Sequence, residues 1–292
     1  METIFTFIIP HKNIHHLLER CILSIPERTD VEIIVVDDNS KNIDELERIG
    51  VLSRDNIQLI KLNESKGAGY ARNIGISKAK GKWLVFADSD DYFITNSLNE
   101  MMNYYLSSAA DIIYFDIACL NAGTLQPASN AEVQYRQYIH NVNAETLCKY
   151  KLKVPWGKFL KRDLVVKNNI KFDETLVAND IIFSLKTGLA ATTVKIEKTP
   201  IYTWLVRNNS LTSIRNRETA LLHFNAAVRY NNILKTAGLN QYRINLFLSI
   251  PNLYKSSLSI KEIFKLVIGN TTFQYIFTDL FKSIILYIKN KL

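Results

Sequence analysis

The chain has 292 residues, 47% of them hydrophobic and 22% charged, with a formal net charge of +8. This is globular composition with length for one large or two modest domains, so the core is sizeable and needs no disulfide or metal staple. Its three cysteines (Cys21, Cys119, Cys148) are widely spaced, odd in number and without metal-ligand spacing, which points to a reducing, cytoplasmic compartment. The excess positive charge is uneven. Residues 216–292 hold ten Lys or Arg against three Asp or Glu, a net of +7, whereas residues 1–215 hold 26 against 25. Such asymmetry points to an anionic partner for the last quarter, a membrane surface or nucleic acid.

The opening residues, Met1 to Pro10, lack a basic region and a small-residue cleavage site and predict a strand, not a signal peptide. No stretch approaches the ~18 apolar residues of a spanning helix. Residues 3–9 predict the first strand. Leu17, Leu18, Cys21, Ile22 and Ile25 place a helix over 14–25. A second strand follows over 32–36, a polar helix over 43–49, a third strand over 57–62 and a helix over 68–79. Residues 82–87 predict a fourth strand, 97–106 a helix and 111–117 a fifth strand. Alternation at this spacing implies a doubly wound, mostly parallel α/β sheet flanked by helices, with right-handed crossovers.

Beyond residue 118 the regularity breaks. Residues 121–143 are polar and turn-rich and predict an irregular excursion. Pro155-Trp156-Gly157-Lys158 predicts a turn, and residues 179–190 a helix with Asn179 as its cap. From Glu218 onward the pattern is helical. The last segment puts Phe273, Ile276, Phe277, Leu280, Phe281, Ile284, Ile285 and Ile288 on one stripe, with Lys282 and Lys289 off it. That stripe has two readings, a face docked on the rest of the protein or a face in a membrane interface. There are no internal repeats and no low-complexity segments.

Four features fall at the ends or starts of these elements. The first strand ends in Pro10-His11-Lys12-Asn13 and the second in Asp37-Asp38-Asn39-Ser40. The third helix opens near Lys66-Gly67-Ala68-Gly69-Tyr70-Ala71-Arg72-Asn73, and the fourth strand ends in Asp88-Ser89-Asp90-Asp91. Carboxylates released at the C-terminal edge of a buried strand lie where open α/β sheets bind ligands, and two of them on a turn suit a hard divalent cation and a diphosphate. An isolated Asp-x-Asp is otherwise a solvated acidic turn. Occurring together and in order, the four features resemble the glycosyltransferase family 2 enzymes, which have the GT-A fold, most closely over residues 3–92.

The resemblance implies a nucleotide-sugar donor, UDP-linked, with Pro10 lining the base pocket and Asp38 accepting from the base; Asp37, one residue away, points back into the fold. It implies Lys66 and Arg72 as charges near the diphosphate, with Gly67 and Gly69 permitting close backbone approach. Asp88 and Asp90 become ligands of Mn²⁺ or Mg²⁺, Ser89 faces the sugar, and Asp91 caps the next helix. Phe172-Asp173-Glu174-Thr175-Leu176-Val177-Ala178-Asn179-Asp180 resembles the family's base segment, which makes Asp180 the catalytic base. The family's preceding Glu is Asn179 here, a departure that bears on acceptor orientation. Trp156 is either a sugar platform or a core residue. Arg207 to Thr212 resembles a basic loop over the diphosphate, and Lys12 replaces a Tyr common among relatives. The five histidines share no metal-ligand spacing with the acidic cluster and read as ordinary polar residues.

The expected organisation is a catalytic domain over 1–215, with a nucleotide-binding half (1–117) and an acceptor half (118–215), followed by a basic helical region over 216–292. The expected activity is inverting, metal-dependent sugar transfer to a glycan or lipid-linked oligosaccharide in surface polysaccharide biosynthesis, of the capsule or O-antigen kind. It is placed in the cytoplasm, peripheral to the inner membrane through the basic tail. The alternatives are a catalytically silent nucleotide-sugar-binding module and a nucleotidyltransferase. The latter calls for a Gly-rich basic loop after the first strand, which Pro10-His11-Lys12-Asn13 is not. A nucleic-acid role for the tail lacks aromatic–basic interleaving.

Overall fold

A computed structural model of the chain describes residues 2–128, 131–207, 216–271 and 273–289. It divides into two compact units, Met1–Arg207 and Asn208–Leu292. In the first, eight strands form one sheet in the order β3-β2-β1-β4-β7-β6-β8-β5. The strands β1 (Phe5–His11), β2 (Val31–Asp37), β3 (Ile57–Lys61) and β4 (Trp83–Phe86) run parallel, joined through helices α1 (His15–Leu23), α2 (Ile43–Glu47) and α3 (Gly67–Lys78). Every residue of β1 and β4 is buried, so these runs read as continuous apolar stretches. His11 pairs in register with Asp37, and Ile8 with Phe86. The segments after β1, β2 and β4 therefore leave the sheet along one edge. This is the mostly parallel, helix-flanked arrangement that the alternation predicts.

After β5 (Tyr92–Phe93) and α4 (Thr95–Tyr104), the long β6 (Ile112–Asn121) pairs with β7 (Lys158–Lys161) and β8 (Val194–Val206). β7 is antiparallel to both its neighbours and joins the two halves of the sheet. The sequence reading missed β5, β7 and β8, which are short, interrupted by Pro200 or rich in Lys and Glu. It also made residues 121–143 irregular, whereas α5 (Ala131–Ile139) lies within them. The reason is a buried carboxylate. Asp116 of β6 is 1% exposed and accepts from Arg136 Nε at 3.2 Å and His140 Nε2 at 2.8 Å. Those bonds, with Tyr135 and Ile139 buried, hold the helix on the sheet.

α6 (Ala144–Lys151), α7 (Arg162–Lys167) and α8 (Ile181–Ala190) complete the unit. Phe172 and Phe183 stack at 3.8 Å, and Phe86 meets both edge-on at 5.2 and 5.6 Å. This aromatic cluster fastens the start of α8 to the end of β4. The second unit is helical: α9 (Arg217–Thr236), α10 (Ile250–Lys255), α11 (Ile260–Asn270) and α12 (Phe273–Lys289). Its core includes Phe224, Leu246, Leu253, Ile263 and Val267. Side-chain capping boxes fix the starts of α9 (Asn216 with Thr219) and α11 (Ser259 with Glu262). Among the described residues no helix is long and apolar enough to cross a membrane.

Candidate active site

β2 ends in two adjacent carboxylates with different environments. Asp37 is fully buried and accepts from the Ser40 backbone N–H at 2.9 Å and from the Ser40 hydroxyl, closing a turn in which Asn39 adopts φ 57°. Asp38 faces the other way, onto the start of α3. Its Oδ1 accepts the backbone N–H groups of Lys66 (2.6 Å) and Gly67 (3.0 Å), and its Oδ2 accepts from Ser65 Oγ at 2.7 Å and Lys12 Nζ at 3.4 Å. A carboxylate at a helix N-terminus satisfies otherwise orphan donors. Lys12 thus brings a half-exposed cation to Asp38. Pro10 is buried in β1 opposite Val36. The Lys66 side chain is exposed, pairs with Glu64 at 2.8 Å and lies over the Tyr70 ring.

The Asp88–Asp91 turn beyond β4 is held from several sides. The Asp88 N–H donates to Tyr202 Oη at 3.0 Å, and that hydroxyl donates to Asp91 Oδ2 at 2.7 Å. The Leu205 N–H donates to Asp91 Oδ1 at 2.8 Å, so both Asp91 oxygens are engaged and it caps no helix. Arg20 donates to the Asp90 carbonyl at 2.6 Å, and Arg207 pairs with the Asp90 carboxylate. Ser89 is buried. The carboxylates of Asp88, Asp90 and Asp91 have oxygens within 4.8 Å of one another. Burial and then Asp88 push Asp90 above the usual carboxylate range, against Arg207; burial, Asp90 and Asp88 push Asp91 well above it. Such crowding of hard oxygen donors fits a divalent cation of the Mg²⁺ or Mn²⁺ kind. Asp88 and Asp90, whose carboxylates pair with the side-chain cations Arg72 and Arg207, fit it better than Asp91, whose two oxygens are taken by Tyr202 and the Leu205 N–H.

The triplet Ala71-Arg72-Asn73 ties this turn to the segment before α8. Arg72 is 5% exposed and donates from Nη2 to Asp88 Oδ1 at 2.5 Å and from Nη1 to Asn179 Oδ1 at 3.0 Å. Asn73 exchanges two bonds with the Phe172 backbone, at 2.9 and 3.0 Å, and reaches Glu174. The Asp173 N–H closes the 172–180 loop onto the Asn179 carbonyl at 3.0 Å, with Ala178 at φ 56°. Asp180, not Asn179, is the residue that opens α8; Asn179 is buried and spent on Arg72 and the Thr175 carbonyl.

Asp180 keeps a solvent-facing edge while dense protein surrounds its carboxyl group. Burial pushes its pKa from 3.8 to about 6, opposed mainly by Arg72 and less by Lys158, with Asp88 adding to the rise. Lys158, 2% exposed on β7, lies over the Tyr114 ring at 5.1 Å, and burial lowers its own pKa to about 8. Lys153 feels Asp180 too, and burial lowers it. The sequence reading missed Lys158 as part of this surrounding. The signal was its i, i+2 spacing to Leu160 in a short apolar strand, which puts the lysine on the same face as a core leucine.

Trp156 resolves toward the core: it is 5% exposed and stacked between Tyr135 and Tyr202, at 5.6 and 5.4 Å, so it offers no sugar platform. Gly69 makes a close approach, but to protein. A Cβ there would run into the Asp173 carbonyl oxygen and stand 3.0 Å from Asn179 Cβ. His11 is buried rather than ordinary, and burial lowers its pKa to about 4. Of the basic loop, Arg207 is placed and residues 208–212 lie outside the described residues.

Gly69→Ala is expected to force α3 off the 172–180 segment. A carbonyl cannot yield as a flexible side chain does, so the cost is about 1–3 kcal/mol. A thermal melt should show a loss of roughly 2–4 °C per kcal/mol for a chain this size. An unchanged melting temperature would mean the contact is looser than described.

The profile of glycosyl transferase family 2 matches residues 6–166, from β1 through the Asp88 turn and β7. The chain belongs to this family. Among curated relatives, it is 26% identical over 239 residues to a cholesterol galactosyltransferase of Borreliella burgdorferi, covering 77% of this chain and 63% of the relative. It is also 26% identical over 218 residues to the succinoglycan biosynthesis protein ExoO of Rhizobium meliloti, covering 72% and 62%. The chain thus spans a little over three-fifths of those relatives. The crystal structure of Staphylococcus aureus TarS residues 1–349 in complex with UDP-GlcNAc superposes with a TM-score of 0.65 at 19% identity, covering 92% of this chain and 79% of that one. At that identity the likeness is one of fold. The family assignment rests on the matched segment, which contains Asp38, Arg72, Asp88 and Asp90 but ends before Asp180.

Proposed function

We propose that this chain is an inverting, metal-dependent glycosyltransferase that moves a sugar from a UDP-sugar to a glycan or lipid-linked oligosaccharide during surface polysaccharide assembly. The observation that carries the reading is Arg72, whose one guanidinium joins Asp88 of the acidic turn to Asn179 beside Asp180. Asp38 meets the N-terminus of the same helix. Elements far apart in sequence thereby converge on one edge of the sheet, which is what single displacement at an anomeric carbon requires.

In that reaction the acceptor hydroxyl oxygen forms a bond to the anomeric carbon as the carbon–oxygen bond to the diphosphate breaks on the opposite face, inverting the configuration. Asp180 takes the hydroxyl proton. Its raised pKa suits it to that task near neutral pH, and Arg72 and Lys158 keep it ionised there. Asp88 and Asp90 would hold Mn²⁺ or Mg²⁺, which when bound would supply positive charge for a departing diphosphate. Arg72 and Arg207, now paired with these two carboxylates, are the cations nearest to the phosphate oxygens. Pro10 and Asp38 border the nucleoside, and Lys66 and Ser89 flank the diphosphate and sugar. Asn179 holds the base segment rather than the acceptor. The basic residues 216–292 contact an anionic membrane surface, which places the reaction at the cytoplasmic face of the membrane.

The test is nucleotide release from a panel of nucleotide sugars, with Mn²⁺, with Mg²⁺ and with chelator. We expect UDP release that falls at least tenfold on chelation and returns with either metal. Release undiminished by chelator would remove the metal from the reading. No release from any donor would favour a silent binding module.

A further inference from the structure

α12 is turned inside out. Asp279, 2% exposed, receives both Nη groups of Arg243. Asn245 Nδ2 donates to the Asp279 carbonyl at 3.0 Å and to Ser283 Oγ at 3.1 Å, and the Arg243 guanidinium lies 3.7 Å over the Tyr275 ring. Tyr275, Asp279 and Ser283 thus form a polar inward stripe, beside which Ile276 packs on the helical core. The opposite stripe is Phe277, Leu280, Phe281, Ile284 and Ile285, at i, i+3, i+4, i+7 and i+8. Phe277 is 75% exposed and Phe281 66%. In a helix facing water this stripe points inward. The side chains of Phe273 and Ile288 lie outside the described residues.

The outward stripe cannot hide by rolling the helix. Rotation would separate Arg243 from Asp279 and leave two desolvated charges. The remaining question is what covers the stripe. The charge pattern answers it: residues 216–292 carry ten Lys or Arg against three Asp or Glu, and Lys282 lies exposed at the stripe's flank, with Lys289 seven residues on. Face-to-face pairing of two copies would bring these like charges together, whereas an anionic headgroup layer would attract them. No described helix is long and apolar enough to span, which leaves the in-plane orientation.

We infer that α12 is an interfacial membrane helix, lying in the plane of an anionic bilayer with Phe277, Phe281 and Ile284 in the acyl boundary and Lys282 among the headgroups. The inference rests on the membrane contact proposed above for residues 216–292, and adds the element, the face and the residues that make it.

The experiment is co-sedimentation of the whole chain with phosphatidylcholine vesicles, with and without phosphatidylglycerol. It compares wild type, Phe277→Glu/Phe281→Glu and the control Leu23→Glu/Val142→Glu, which adds the same charge at exposed positions of the other unit. Wild type should bind the anionic vesicles. The α12 variant should bind at least about tenfold more weakly, and the control within about twofold of wild type. Equal losses in the two variants, or none in the α12 variant, would overturn α12 as the contact while leaving a membrane contact standing. Absence of wild-type binding would overturn both. Light scattering covers the competing occupant: a dimer of wild type that the α12 variant dissolves would assign the face to a second copy. Should the glutamates unfold the unit in circular dichroism, Phe277→Ala/Phe281→Ala replaces them with the same expected direction. All readouts are of binding, so they stand or fall separately from glycosyl transfer.

Discussion

Asp180→Asn should lower turnover about a hundredfold or more while leaving donor affinity nearly unchanged. Asn preserves the shape and the start of α8 but takes no proton. Stability should move the opposite way. The folded-state pKa of Asp180 lies above its ordinary value, about 6 against 3.8, so folding favours the protonated carboxyl group. The stability gained that way is complete below about pH 3.8 and lost as pH rises through about 6. At pH 8 the wild type therefore carries a buried charge at a net cost of about 1–3 kcal/mol, discounted for its solvent-facing edge. Asn has no such charge, so the variant should melt several degrees higher at pH 8 and no higher at pH 4. A residue that only builds the helix start would lose stability along with activity.

Arg72→Met should damage both. The methionine fills much of the volume, but Asp88 loses its ion pair and the buried Asn179 loses a donor. Breaking a fully buried pair costs about 3–5 kcal/mol; Asp88 is 34% exposed at its side chain, so about 2–3 kcal/mol is expected. Turnover should fall by about a hundredfold or more, because the proposed transfer needs Arg72 both to place the Asp180 segment through Asn179 and as a cation for the diphosphate. Arg72→Lys separates the two effects. Lysine restores the charge but not the fork that reaches two partners, so it should recover part of the stability and little of the activity. Parallel melts and nucleotide-release rates of the two variants decide it. Full recovery by lysine would reduce Arg72 to a point charge.

The sheet edge was legible because β1, β2 and β4 are buried on both faces, which writes continuous apolar runs ending in Pro10, Asp37-Asp38 and Asp88. Asp180 was legible only through resemblance, since a helix-opening aspartate is ordinary in itself. Partnerships were the hidden part. Nothing local announces that Asn73 will hold the Phe172 backbone or that Gly69 will face the Asp173 carbonyl, because both contacts span about a hundred residues of sequence. Trp156 and Asn179 looked like ligand contacts for the same reason. Their types suit sugars, and only the surrounding Tyr135, Tyr202 and Arg72 reveal that they are already committed. α5 stayed hidden because its reason to fold, the buried Asp116, belongs to another element.

The most direct test of the central claim, that Asp180 meets the acidic turn as the base of one transfer site, is the pH dependence of kcat/KM at saturating metal. The wild type should show a rising limb near pH 6 that is absent from the residual activity of Asp180→Asn. A limb that survives in the variant unchanged, or a variant that turns over at the wild-type rate, would contradict it.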